Sequence, residues 1–343
     1  MDLDWAGQSS SQASPTPSCT VVVCTRRRPS QLRQCLQSLQ RLHYPDCKVL
    51  VVENDGDSGE AEEIAASYGN LYRLCTRRGL SAARNLAVNS CNTELLAFID
   101  DDATCDPDWL RHSASLFLDP TVHAVTGKIA FHPGGGFASI PSYEFDPGHR
   151  TVGYETPDWF GMAVFGGLGR GSNFLVRRSA LQRLGGFDER LGRGTFLHAS
   201  EENIFLFRVI DAGFRVASSS RSCVHHPVCS TGVDESPFRA IAASTAIVAM
   251  VAVEHPRYLF KLASYIWGAI RRKPQPWRHR PARLFEGMAS PWEVYAALLS
   301  GPFIYLAAAI RYLLEGTPHF AAMNANLTPE EFQPETAAPK MRA

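Results

Sequence analysis

The sequence predicts an α/β fold in which a mostly parallel central sheet is flanked by helices, and three observations carry that expectation. Short β-branched runs are followed by helical patterns. The second such run begins about thirty residues after the first, the interval of a strand–helix–strand unit. The runs are apolar throughout rather than alternating, as strands covered on both faces are.

Residues 19–24 form the first run, Cys19-Thr-Val-Val-Val-Cys24. It ends at Thr25, and Pro29 can open a helix whose Leu32, Leu36, Leu39 and Leu42 recur at helical spacing. Residues 48–52 and 70–75 read as the second and third strands, 81–89 as a helix, and 95–99 as a fourth strand running into Asp100, Asp101 and Asp102. From 131 to 171 the chain turns to Gly, Pro and aromatics, which predicts a long functional loop. Helical signal returns over 179–184 and 201–212, where Phe205, Val209 and Ala212 share a face and Gly213 stops the helix. Residues 214–217 and 223–224 read as short strands; beyond Pro237 the chain is helical, with two uncharged stretches at 240–253 and 294–310. The expected division is a disordered tail over 1–18, a sheet domain over 19–230, and a helical, basic and apolar region with a polar tail over 231–343.

With 343 residues, 45% hydrophobic and 20% charged, the chain is neither disordered nor a small disulfide scaffold. The balance of 34 basic against 34 acidic residues hides an asymmetry, because eight Lys/Arg and no Asp/Glu lie between His255 and Phe285. Such a segment suits an anionic surface. Nine cysteines are scattered, and Cys24 and Cys75 sit in or beside apolar runs, so they are read as reduced. Residues 1–18 hold no apolar core of signal-peptide length, which predicts a cytoplasmic chain.

In an open parallel sheet, ligands bind beyond the carboxyl ends of the strands. There this sequence places Thr25 and Arg26, then Glu53 and Asp55, then Arg77 and Arg78, then the three aspartates. A rim with both carboxylates and guanidiniums suits a nucleotide sugar, which has hydrogen-bond donors, a diphosphate and a metal. No Gly-x-Gly-x-x-Gly follows the first strand and no Gly-Lys-Ser/Thr loop occurs, which disfavours dinucleotide and P-loop chemistry. Adjacent aspartates raise each other's pKa unless a cation neutralises them, and hard oxygen ligands select Mg²⁺ or Mn²⁺. Backbone alternation puts Asp100 and Asp102 on one side. Helix capping and a solvated acidic turn would also account for them.

Seven ordered motifs carry a family resemblance: Cys24-Thr-Arg-Arg-Arg-Pro29, Val51-Val-Glu-Asn-Asp55, Gly79-Leu-Ser-Ala-Ala-Arg-Asn-Leu-Ala87, Phe98-Ile-Asp-Asp-Asp102, Gly171-Ser-Asn173, Gly185-Gly-Phe-Asp-Glu189 and Ser200-Glu-Glu-Asn203. Together they resemble the motif set of family 2 glycosyltransferases with the GT-A fold. The resemblance implies inverting transfer from a nucleotide-diphosphate sugar to a hydroxyl. It assigns donor binding to Thr25, Arg26, Glu53, Asp55, Arg84, Asp100 and Asp101. Asp100 and Asp102 match the DxD that holds the metal, and His225 of the pair His225-His226 is taken as a further ligand. Glu202 stands where the family has the aspartate that acts as general base, with Glu201 as the alternative; acidic residues in a first helical turn are also favoured by the helix dipole alone. Trp159, Ser172 and Asn173 would line the acceptor side.

Neither uncharged C-terminal stretch reaches the ~20 residues that span a bilayer. Basic residues interleaved with Trp267 and Trp277 fit a segment in the interface of an anionic membrane, and the acceptor is then a glycan or a lipid-linked intermediate at the cytoplasmic face. An ordinary helical subdomain is the competing expectation. No specific nucleic-acid motif accompanies the charge. A nucleotidyltransferase-like enzyme or phosphohydrolase, and a non-catalytic membrane-associated module of the same fold, are the alternative functions.

Overall fold

The computed structural model describes residues 16–56, 59–133, 143–195, 197–228, 237–270 and 291–315. The first half alternates strand and helix: β1 (Cys19–Thr25), α1 (Pro29–Leu39), β2 (Cys47–Asn54), α2 (Glu60–Ser67), β3 (Leu71–Cys75), α3 (Leu80–Ser90) and β4 (Leu95–Asp100). Next come β5 (Thr104–Cys105), α4 (Trp109–Ala114), β6 (Val122–Pro133), β7 (Tyr143–Phe145), β8 (Arg150–Val152), α5 (Trp159–Val164), β9 (Phe174–Arg177), α6 (Arg178–Arg183), α7 (Glu201–Asp211) and β10 (Arg215–Val228). Three longer helices close the described chain: α8 (Pro237–Glu254), α9 (Leu259–Ile270) and α10 (Pro291–Glu315).

The main path of the sheet runs β3-β2-β1-β4-β9-β6-β10-β5, with β7 beside β6 and β8 beside β10. The pairs among β1 to β4 are parallel, as is β6 with β10, whereas β9 runs antiparallel between β4 and β6. Period-two alternation fills both faces. Val22, Leu96 and Phe98 point to one core, with α3, α5, α7 and α8. Val21, Val23, Leu95, Ala97 and Ile99 point to the other, with α1 and α4. This double covering is why the strands carry no polar face.

Three expectations about organisation change. The predicted loop at 131–171 contains β7, β8 and α5, whose short lengths hide their periodicity; its residues 134–142 lie outside the described residues. The separate short strands at 214–217 and 223–224 are one strand, β10, whose pairing with β6 shifts register between Ser219 and Cys223. The loose tail ends by Pro17, whose carbonyl accepts the Tyr44 hydroxyl at 2.6 Å, while the Ser18 carbonyl accepts the Leu95 amide; residues 1–15 lie outside the described residues, as do 316–343 and the part of the basic stretch holding Trp277.

The sheet does not end its core at residue 230. Ala246, Ile247, Met250, Val251, Tyr258, Leu262, Tyr305 and Ala308 of the C-terminal helices and the turn before α9 belong to the same buried cluster as Phe98 and Phe205. Helix α10 approaches α8 closely at Gly301, where an added Cβ would stand 2.0 Å from Thr245 Oγ1.

Candidate functional site

The carboxyl ends of β1, β2 and β4 meet the amino ends of α3 and α7. Strained backbone marks three of these junctions: Arg27 (φ 55°), Asp55 (φ 54°) and Ser200 (φ 73°) lie in the left-handed region without being glycine. Such conformations persist only where the surrounding contacts impose them.

The three aspartates after β4 divide their work. Asp101 is buried; it accepts from Thr25 Oγ1 at 2.7 Å and from Arg28 Nη1 at 3.2 Å. Burial pushes its carboxyl up to about 6, against the opposing pull of Arg28 and Thr25. Asp101 and Thr25, both expected to bind donor, are therefore engaged with each other and buried. Asp100 and Asp102 point instead to a shared space where His226 Nε2 lies 3.6 Å from Asp100 Oδ2 and 3.2 Å from Asp102 Oδ1. Burial alone would raise Asp100, but His226, with Arg84 and Arg193 behind it, holds it down at about 2. Burial would likewise lower His226, yet the two carboxylates raise it to about 10.

This trio fits a divalent cation. One ligand atom from each of Asp100, Asp102 and His226 lies within 4.8 Å of the others. Asp102 Oδ1 is buried and accepts no hydrogen bond, so its attraction to His226 is one of charge without a directed bond; Asp102 Oδ2 is held by Arg28 Nη1 at 2.9 Å. Two carboxylates and an imidazole suit Mn²⁺ as well as Mg²⁺. His225, the expected ligand, faces away from this trio: its Nε2 meets Asp106 Oδ1 at 2.8 Å, in a second group with Cys223 that could also hold a metal ion. Adjacent strand residues face opposite ways, and the packing of β10 turns His226 to the aspartates.

Arg84, expected to meet the donor, lies beside Asp100. It is buried beneath the rim, pairs with Glu201 Oε1 at 2.7 Å, donates to the Gly171 carbonyl at 3.0 Å and stands 3.8 Å from Asp100 Oδ1. Phe98, Phe174 and Phe187 surround its guanidinium with ring centroids 5.4 to 5.7 Å away. Arg84 thus joins the acidic end of β4 to the start of α7 and occupies Glu201. Glu202, half-buried, makes no such pair among the described residues; burial, then the neighbouring Glu201 carboxylate, push it from its ordinary 4.5 up to about 7. A carboxylate of that basicity can accept a proton near neutrality.

Further along the rim, Glu53 is buried, accepts the Tyr72 hydroxyl at 2.6 Å and lies under Gly56, where an added Cβ would strike its carboxylate. Arg26 Nη2 meets Asp55 Oδ2 at 2.7 Å on the open side. The acceptor-side expectation changes most. Trp159 is 1% exposed and packs against Phe160, Phe207 and Tyr258. Asn173 is a buried joint: it accepts from Trp109 Nε1 and donates to the carbonyls of Lys128 and Ser222. Ser172 beside it is buried too. Sequence reasoning missed Arg28 and Tyr72, and set His226 aside. The run Arg26-Arg27-Arg28 was the available signal for the first; nothing local distinguishes the two histidines.

Residues 20–185 match the model of glycosyl transferase family 2. That stretch, just under half of the chain, is similar to that family. It is 30% identical over 216 residues to the succinoglycan biosynthesis protein ExoM of Rhizobium meliloti, covering 60% of this chain and 65% of that protein. It is 28% identical over 219 residues to a pre-mycofactocin glycosyltransferase of Mycobacterium tuberculosis, covering 60% of this chain and 42% of that one. The chain therefore spans less than two thirds of either relative. Two solved structures share its fold. A mannosyltransferase of Pyrobaculum calidifontis in complex with GDP-Man and Mn²⁺ superposes with a TM-score of 0.51 at 19% identity, over 90% of this chain and 79% of that one. Residues 1–349 of TarS from S. aureus do so with a TM-score of 0.52 at 15% identity, over 88% and 93%. The fold is GT-A-like, a mostly parallel central sheet with flanking helices.

Proposed function

We propose that this chain transfers a sugar, with inversion, from a nucleotide-diphosphate sugar to an acceptor hydroxyl. The observation that carries the reading is Arg84, which spans from Glu201 at the head of α7 to Asp100 at the end of β4 and so keeps the acidic pair and Glu202 on one rim. Asp100, Asp102 and His226 would hold Mg²⁺ or Mn²⁺, and the cation, when bound, supplies Lewis-acid stabilisation to the departing diphosphate. Glu202 accepts the proton of the acceptor hydroxyl as that oxygen attacks in line. Arg84 and Glu201 position Glu202 by fixing the first turn of α7. Glu53 and Asp55, on the far side of β1, are assigned to the nucleoside; Tyr72 and Arg26 orient their carboxylates.

A relative named for succinoglycan biosynthesis supports a glycan or lipid-linked acceptor. We place the reaction in the cytoplasm, at the inner face of an anionic membrane; the eight cysteines among the described residues, all free, support a reducing setting. Residues 19–230 are taken as the transferase domain, completed by α8.

Calorimetry with a panel of nucleotide sugars, with and without Mn²⁺, tests the reading. At least one donor should bind in a metal-dependent way, and Asp102→Ala should abolish that dependence. A panel with no binding under any metal would overturn the assignment.

A further inference from the structure

The outer face of α10 carries a continuous apolar row. Leu299, Phe303, Leu306, Ile310 and Leu314 follow one another at intervals of three or four residues, so they share one side of the helix. Each is between 49% and 82% exposed. The other side holds Gly301, Tyr305 and Ala308, buried against α8 and the core. On α9, Phe260 is 92% exposed. A row of large apolar side chains of this length marks an interaction surface.

Charge decides what covers it. Helix α10 has only Glu293, Arg311 and Glu315 as charged residues, too few to flank the row as they do in helices that pair with another helix. Residues 271–290, which lead directly into α10, hold six Lys/Arg against the single Glu286. Among the described residues, no helix is long and apolar enough to cross a membrane. An apolar stripe continuous in sequence with a cationic segment matches an anionic bilayer surface, where the acyl boundary takes the stripe and the phosphates take the cations.

We propose that the face of α10 formed by Leu299, Phe303, Leu306, Ile310 and Leu314 lies in the interface of an anionic membrane. This deepens the membrane-side reading above by naming the surface that does the docking. The test is flotation of the full chain with phosphatidylcholine vesicles, with and without about one third phosphatidylglycerol. Binding should require the anionic lipid and weaken with salt. Phe303→Glu with Ile310→Glu should lower it at least about tenfold, as should Leu299→Glu with Leu314→Glu; Arg271→Gln with Arg272→Gln and Lys273→Gln should lower only the anionic component. These residues of α10 point outward, so the unfolding midpoint should hold. Absence of flotation at low salt, or flotation that the α10 substitutions leave unchanged, overturns the proposal. A dimer that those substitutions dissolve, without any flotation, overturns it in favour of a second copy. Nucleotide-sugar calorimetry on the same variants separates the two readings: donor binding that persists while flotation is lost implicates the docking face alone, whereas a parent chain that floats but binds no donor sinks the transferase reading only.

Discussion

Arg84 illustrates what a buried charge does at this rim. Its side chain is enclosed by three aromatic rings and neutralised by Glu201, so removing it strands a buried carboxylate. Arg84→Met is expected to cost about 3–5 kcal/mol in urea unfolding. Combining it with Glu201→Gln should return part of that loss, and strictly additive costs would show that the pair is not coupled. Glu202 makes a second prediction. Its carboxyl, raised from 4.5 to about 7, is disfavoured in its charged form by the fold. The resulting instability is absent below the unfolded value of 4.5 and complete above about 7. Glu202→Gln should therefore raise the melting temperature at pH 8 but not at pH 4. The kcat/KM of the parent should climb with pH through a midpoint near 7. The variant should lose that limb and roughly 10²- to 10⁴-fold in turnover while keeping donor binding. The sequence marked both positions but not the pairing of Arg84 with Glu201, because a guanidinium's partner depends on which residues the fold brings above it.

At the scale of elements, the start of α3 acts as a clasp on the segment before α7. Asn54 Oδ1 accepts the Gly79 amide at 3.0 Å, the Leu80 amide donates to Arg193 O, and Ser81 Oγ donates to Leu191 O. Asn85 accepts the Phe187 amide and donates to the Phe187 carbonyl. Gly79 has φ +128°, and an added Cβ would stand 2.9 Å from Thr195 Cγ2. Gly79→Ala is expected to destabilise by about 1–3 kcal/mol through backbone strain, and Asn85→Ala by a similar ~1–3 kcal/mol for the unpaired Phe187 groups. Chemical denaturation checks both; a neutral Asn85→Ala would mean that the segment repairs its own hydrogen bonds. In the sequence Gly79 and Asn85 stand out only as members of the motif at 79–87. The partner of Asn85 is 102 residues away, beyond any local pattern.

Across the whole molecule, the C-terminal helices complete the core on one face of the sheet. Arg190, next to the clasp, is held by Asp188 and by Glu254 at the end of α8, and Tyr305 of α10 donates to the same Glu254 at 3.0 Å. Tyr258 and Arg257 both reach Asp211 at the end of α7. A chain ending at residue 228 would expose the sheet-side cluster that Ile247, Met250 and Val251 now cover. It is expected to aggregate or to bind a hydrophobic dye without a cooperative melting transition. A sharp, reversible transition for that fragment would show the helices to be a dispensable addition.

The sequence by itself determined the class of fold, the positions of β1 to β4 and the acidic end of β4, because those are written in local periodicity and in the residues just beyond each strand. Only the tertiary structure decided that His226 and not His225 faces Asp100 and Asp102, that Asp101 turns inward to Thr25 and Arg28, and that Trp159 belongs to the core. Neighbours on a strand or turn point to opposite sides, and which side becomes the cleft is fixed by long-range packing rather than by the residues themselves.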